Sequence, residues 1–281
     1  MFKKLTYFAL VALVAASCSK SQDLTPVQVS VEDFLITIDT FSDTKATGVD
    51  SYSGVKALTL AFYDSNNTQA YKSTQMKESS GFGNFSLNLA PGSYTMVVLG
   101  YTLYDDDVFS LTSPTLAAFT TDCRETFAAT QEVTVEGTAL NLSATLDRIV
   151  AKLMVTSTDG RPEGVARIRM GFSAGNKSFN PTTGLATSNT SFSNSVKVSA
   201  DVGATTSSIC YLFLSSDEQD IDVTIDALDS QNNVLYQRIV TGVPFKRNRC
   251  TKLTGSVYSV SASAGSFQLN KDWEDEVEVG F

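Results

Sequence analysis

This 281-residue chain contains no histidine, so its chemistry rests on cysteines, carboxylates and hydroxyls. Without imidazole there is no Ser-His-Asp or Cys-His nucleophile, no His-ligated metal and no imidazole acid/base catalyst. A carboxylate pair could still hydrolyse glycosides, but no two acids are singled out by their spacing. Of the four cysteines, Cys18 has the most informative setting. Ala15, Ala16 and Ser17 stand directly before it, an arrangement that resembles a lipobox, with Ala15 where leucine is commonest. There the thiol is diacylated, the preceding peptide is cut and the new N-terminus is acylated. Lys3 and Lys4 supply a positive n-region and Leu5 to Val14 an apolar stretch, too short for the roughly 20 residues of a spanning helix. Residues 1–17 therefore read as a removable export signal, and Cys18 as the lipid attachment point. At about 0.8 kcal/mol per buried methylene, three acyl chains hold a protein on a membrane where one does not.

Cys123, Cys210 and Cys250 remain, an odd number, with no CxxC pair and hence no redox or zinc motif. Cys210 and Cys250 lie in strand-like runs of the same half and are the expected partners if a disulfide forms; three buried thiols are the alternative. Asp105, Asp106 and Asp107 could offer oxygens to calcium or form a solvated loop, the preferred reading, so no metal and no cofactor are expected. Tyr52, Tyr63, Tyr71, Tyr101 and Tyr104 could include a sugar-stacking platform, although strand tyrosines more often pack across strands. Arg247, Asn248 and Arg249 read as a recognition patch or, preferably, as a loop cap. The formal charge of −9 becomes 19 − 30 = −11 once Lys3 and Lys4 leave with the signal. That balance disfavours nucleic acid and anionic lipid surfaces. No catalytic residue emerges, and the expected class is not an enzyme.

The elements that must position these residues are strands. Period-two alternation runs throughout, as in Val27 to Val31, Phe85 to Leu89, Leu140 to Leu146 and Ile221 to Ala227, and no helical repeat lasts three turns. Ala90-Pro91-Gly92-Ser93 predicts a tight hairpin with a type II turn. Residues 39–53 and 175–194, polar and without alternation, predict exposed loops, the second crossing between two sheets. Asp64-Ser65-Asn66-Asn67 followed by Tyr71, and Asp229-Ser230-Gln231-Asn232-Asn233 followed by Tyr236, form a faint internal repeat. About 260 mature residues suit two sandwiches of usual domain size, with residues 18–146, including a short tether, in the first and 147–281 in the second. The junction falls near Asp147-Arg148. At the far end Val277, Val279 and Phe281 alternate with Glu276, Glu278 and Gly280, which predicts a strand with one apolar face.

The lipobox, Leu-Ala-Pro-Gly-Ser-Tyr at 89–94, Arg-Ile-Val-Ala-Lys-Leu at 148–153 and Val-Pro-Phe-Lys-Arg-Asn-Arg-Cys-Thr-Lys-Leu-Thr-Gly at 243–255 together look like the Bacteroidetes fimbrillins, which include stalk, anchor and tip subunits of type V pili. The resemblance implies an all-β protein of two tandem transthyretin-like β-sandwiches, a lipoprotein precursor carried to the outer membrane, and assembly by strand exchange. In polymerising members a trypsin-like protease cuts the loop after the first strand, and a neighbour's C-terminal strand fills the groove. The first arginine here is Arg124, so the candidate cut in the expected loop is at Lys45, leaving Ala46 as the new N-terminus; a retained first strand and lipid would suit an anchor. The implied partners are other pilus subunits, outer-membrane lipid through acylated Cys18, and a host or bacterial surface ligand. Residues 273–281, with Val277, Val279 and Phe281, are the implied assembly strand. The alternative function is a surface glycan-binding lipoprotein of the starch-utilisation type.

Overall fold

The computed structural model describes residues 25–39, 44–259 and 268–270, and these are all β, with no helix. The first half holds β1 (Val27–Val31), β2 (Leu35–Asp39), β3 (Thr44–Gly48), β4 (Ala57–Asp64), β5 (Gln69–Met76), β6 (Phe85–Leu89), β7 (Gly92–Tyr101), β8 (Phe109–Ser113), β9 (Leu116–Phe119), β10 (Thr126–Val135), β11 (Leu140–Leu142) and β12 (Thr145–Arg148). The second holds β13 (Ala151–Ser157), β14 (Arg167–Phe172), β15 (Ser178–Asn180), β16 (Leu185–Ala186), β17 (Phe192–Lys197), β18 (Ser207–Leu212), β19 (Glu218–Leu228), β20 (Val234–Lys246), β21 (Cys250–Gly255) and β22 (Gln268–Asn270).

In the first half a three-stranded sheet, β11-β1-β6, covers one face of a seven-stranded sheet, β3-β2-β12-β10-β7-β4-β5. Val29, Leu87, Phe62, Met96 and Leu146 fill the space between. In the second half β18-β13-β21-β22 packs on β17-β14-β19-β20 around Leu153, Ile168, Val223 and Phe245. Alternation dictates both cores, since a strand with every second residue apolar can bury only one face.

A third core joins the halves. The sheet β16-β15-β9-β8 takes two strands from each half, with Ala118 opposite Ser178 and Ala117 opposite Phe179. Beneath it Tyr63, Leu99, Phe119, Phe179 and Phe213 are fully or almost fully buried, and the Phe179 and Phe213 rings stack at 4.1 Å. This second burial explains why β4 has no polar face: every residue from Ala57 to Tyr63 is buried. One side of β4 serves the first sandwich and the other this joint. The chain passes between halves just after Arg148, through Ile149 and Val150, which are themselves buried in the joint.

Three local expectations are corrected. Residues 89–94 do not make a hairpin: β6 pairs with β1, and β7 pairs with β4 and β10. Leu89 and Tyr94 both point into the core, so the turn crosses between sheets, and the Tyr94 hydroxyl pins the corner by donating to Ala90 O at 2.9 Å. Gly92 is not among the positive-φ glycines, so the type II geometry is not used. Within 39–53, residues 44–48 are strand β3 rather than loop, paired with β2 from Leu35↔Gly48 to Asp39↔Thr44. The stretch 175–194 leaves β14 and returns to β17 in the same sheet, contributing β15 and β16 to the joint on the way, because Phe179 is apolar and is fully buried there. The repeat is structural. Asp64 Oδ1 accepts from the amides of Asn66 and Thr68 at 2.9 and 2.8 Å, with Asn67 at φ 59°. Asp229 Oδ1 accepts from Gln231 and Asn233 at 2.9 and 2.8 Å, with Asn232 at φ 67°. Both turns close edge hairpins, β4-β5 and β19-β20, with Phe62 opposite Tyr71 and Ala227 opposite Tyr236.

Candidate assembly site

Residues 25–39, ahead of Lys45, are woven into both sheets of the first sandwich. β1 is the centre of the three-stranded sheet, antiparallel to β6 and parallel to β11. Its outward residues are Gln28 and Ser30, and its inward ones, Val27, Val29 and Val31, are buried. Asp33, at φ 55°, turns the chain toward the opposite sheet, where β2 lies between β12 and β3. Phe34 and Ile36 are buried, and Phe34 meets the Phe85 ring edge-on at 6.0 Å. Lys45 and Ala46 sit together, exposed, on β3, which is the outermost strand of its sheet. An edge strand offers unpaired backbone groups to an incoming chain or protease.

A buried polar cluster ties the halves beside the joint. Glu125 Oε1 accepts from the Tyr52 hydroxyl at 2.9 Å and pairs with Arg148 at 2.8 Å. Arg148 also donates to the Tyr52 oxygen at 3.1 Å and to Asn248 Oδ1 at 3.3 Å, and lies 5.2 Å from the Phe127 ring centre. The arginine and glutamate side chains are 13% and 9% exposed, a desolvation that only good geometry offsets. Burial, followed by the Glu125 charge, pushes the Tyr52 and Tyr211 phenols well above their usual range. Burial likewise lowers the Lys152 ammonium. Beside Arg148 and Asn248 opens a cleft of about 800 Å³, lined among others by Thr130, Asp147, Thr182, Glu218, Lys246 and Arg247.

Cys18, Trp273, Val277, Val279 and Phe281 lie outside the described residues. Cys210 and Cys250 are not brought together, and both are free thiols, as is Cys123. They flank β13 from opposite sides, Cys210 opposite Leu153 and Cys250 opposite Lys152. Their Cα atoms are therefore two strand spacings apart, about 9.6 Å, and their side chains take opposite faces, beyond disulfide reach. Cys210 packs on Met170, its sulfur 3.4 Å from Sδ. Burial raises the Cys210 thiol, and it lifts the Cys123 thiol to about 12.

Asp107 accepts two bonds of 2.7 Å from Arg124, one from Thr121 at 2.9 Å and one from the Tyr104 amide at 2.9 Å. It is a structural anchor, and no metal-binding group of acids, cysteines or histidines occurs among the described residues. Of the five tyrosines named for stacking, Tyr63 and Tyr101 are buried, Tyr52 serves the cluster and Tyr71 packs on Phe62. Tyr104 alone of the five is mostly exposed, with Arg124 4.9 Å from its ring centre. In the 247–249 turn, Arg247 donates to Thr183 O and pairs with Asp217, both at 2.8 Å, and the Asn248 amide donates to Val150 O. The turn thus caps the joint. The Tyr52–Glu125–Arg148 cluster escapes sequence reasoning because its members are 73 and 96 residues from Tyr52. A lone acid inside Cys-Arg-Glu-Thr-Phe, next to an apolar strand, was the available hint.

No curated protein matches the chain in sequence. Solved structures do match in fold. The fimbrial anchor protein Mfa2 from Porphyromonas gingivalis is 13% identical, covers 87% of this chain and 95% of its own, and has a TM-score of 0.50. A candidate adhesin from Bacteroides ovatus, also 13% identical, covers 92% and 99% with a TM-score of 0.52. A candidate adhesin from Bacteroides thetaiotaomicron, 11% identical, covers 87% and 96% with a TM-score of 0.52. At such identities the likeness is one of fold, and it spans nearly the whole of each protein. The chain thus shares its fold with a fimbrial anchor protein and two candidate adhesins of Bacteroidetes, and with residues 34–280 matching the model of a family of unknown function, DUF6562, it belongs to that family.

Proposed function

We propose that this protein is a non-enzymatic, surface-exposed pilus subunit or adhesin, anchored in the outer membrane through an acylated Cys18. The observation that carries the reading is the fold shared with a fimbrial anchor protein along 87% of this chain and 95% of that one. The two sandwiches are read as tandem transthyretin-like domains, 18–146 and 147–281, that act as one body through their shared joint. The weave of β1 and β2 supports assembly by strand exchange: cleavage after Lys45 would free a segment whose removal opens a hydrophobic groove between β6 and β11. Val277, Val279 and Phe281 would give a neighbour's replacement strand its apolar face. The glycan-binding alternative gains little, since only Tyr104 of the five candidate rings is left open.

N-terminal mass spectrometry of protein purified from the cell surface tests this. Acylated Cys18 supports the anchored subunit, whereas a free Ala46 overturns the retained anchor and points to a maturing stalk or tip in its place. Wild-type protein that incorporates no labelled palmitate and begins at neither residue overturns the reading.

A further inference from the structure

The seven-stranded sheet carries an unfinished ladder. The Ile149 amide donates to Thr126 O at 3.0 Å, so that carbonyl faces β12. Backbone groups alternate sides along a strand, so Ala128, Thr130, Glu132 and Thr134 face the same way. The ladder to β12 stops at Ala128↔Asp147, yet β10 continues to Val135, paired with β7 throughout. Thr130, Glu132 and Thr134 therefore present amides and carbonyls with no strand partner among the described residues. Thr130 and Thr145, where the two strands diverge, both line the cleft.

The opposite wall holds Asp217 and Glu218 with Lys246, Arg247 and Asn248, the last three opening a basic turn in an acidic chain. Residues 246–252, Lys-Arg-Asn-Arg-Cys-Thr-Lys, carry four cations and no acid, against a net charge of −9. The ion partners of Lys246 and Arg247, Glu218 and Asp217, are 67% and 70% exposed, and pairs so open to water contribute little. β22 leads to this wall. It runs antiparallel to β21, with Asn270 opposite Lys252, so the chain leaves Asn270 heading for the Cys250 end of β21 and the turn that lines the cleft. Residues 271–281, Lys-Asp-Trp-Glu-Asp-Glu-Val-Glu-Val-Gly-Phe, hold five acids and one lysine, a charge of 1 − 5 = −4. Extended, these eleven residues reach about 36 Å.

We infer that residues 271–281 dock in cis in the cleft between the halves, their acids on the basic 246–252 turn and the Val277 to Phe281 stretch added as a strand to the open edge of β10. A polar strand edge beside a turn that carries four cations and no acid suits an extended acidic peptide, and the chain's own peptide is delivered there by β22. The docking stands without the pilus reading. The two meet in one respect: a tail held in cis is withheld from a neighbour.

Trp273 is the chain's only tryptophan and reports on the tail directly in the full mature chain. The expected result is blue-shifted emission and acrylamide quenching several-fold weaker than for the free 271–281 peptide, both unchanged on dilution. Arg247→Glu with Arg249→Glu should expose Trp273. Because those changes could disturb the joint, a chain ending at Asn270 provides a second arm: it should bind the 271–281 peptide saturably, more weakly as salt rises. Thr134→Pro removes one outward amide and spares the ladder to β7, and should abolish hydrogen-exchange protection of residues 277–281. Quenching in the native monomer equal to that of the free peptide overturns the inference. Protection that disappears on dilution also overturns it, by assigning the tail to a second copy, and unchanged protection in Thr134→Pro overturns the strand addition.

Discussion

Removing the residues before Ala46 should leave a first sandwich that cannot hold itself together. The loss takes out β1 and β2, and with them Val27, Val29, Val31, Phe34 and Ile36, of which Val27 is 8% exposed and the others 3% or less. At about 1.5–3 kcal/mol for each fully buried apolar side chain, that is roughly 8–15 kcal/mol, against a whole-domain stability of about 5–15 kcal/mol. It also strips β6 and β11 of their only common neighbour. A chain beginning at Ala46 should therefore lose its near-ultraviolet circular dichroism and its cooperative urea transition in the first half. Adding a peptide of residues 25–39 should restore both, saturably, because the vacated groove accepts a strand of that pattern. Cleavage in place at Lys45 is the control: the nicked protein should keep its melt until mild denaturant frees the fragment. A chain beginning at Ala46 that melts within a few degrees of the intact protein would refute the reasoning, since the buried valines would then carry none of the stability assigned to them.

Three further outcomes follow from the geometry. Glu125→Ala strands the buried Arg148 guanidinium and should cost about 3–5 kcal/mol in urea unfolding, with Glu125→Gln costing less because it still accepts from Tyr52. Phe179→Ala removes a fully buried ring from the joint and should cost about 3–5 kcal/mol, splitting one calorimetric transition into two as the halves uncouple. Burial raises the Asp107 carboxyl, but the bonds from Arg124, Tyr104 and Thr121 outweigh it and hold the group below its ordinary 3.8. Its stabilisation is therefore complete above 3.8 and lost as pH falls through the lower folded value; Asp107→Asn should lower stability at neutral pH and flatten the acid limb of a stability profile.

Much of the fold was legible because alternation is a local property. Val27 to Val31, Ile168 to Phe172 and Ile221 to Ala227 each show their buried face in the order of their residues, and all three are strands with that face inward. The paired aspartate turns were legible for the same reason: an Asp carboxylate reaching amides two and four residues on needs nothing from the rest of the chain. The Pro-Gly corner misled because turn chemistry specifies a change of direction, not whether the next strand pairs beside the last or packs across the core from it. Hydrophobic contacts of Leu89 and Tyr94 settled that.

By itself the sequence determined the all-β class, the absence of imidazole chemistry, the acidic character and the alternating faces from which each core is made, since composition and period are carried residue by residue. Tertiary structure alone decided which strands meet. It placed Phe179 from a polar stretch against Phe213, brought Tyr52, Glu125, Arg148 and Asn248 into one buried cluster, and set Cys210 and Cys250 on opposite faces around β13. Those relations depend on contacts between residues tens to about a hundred positions apart, and no local pattern encodes the register that creates them.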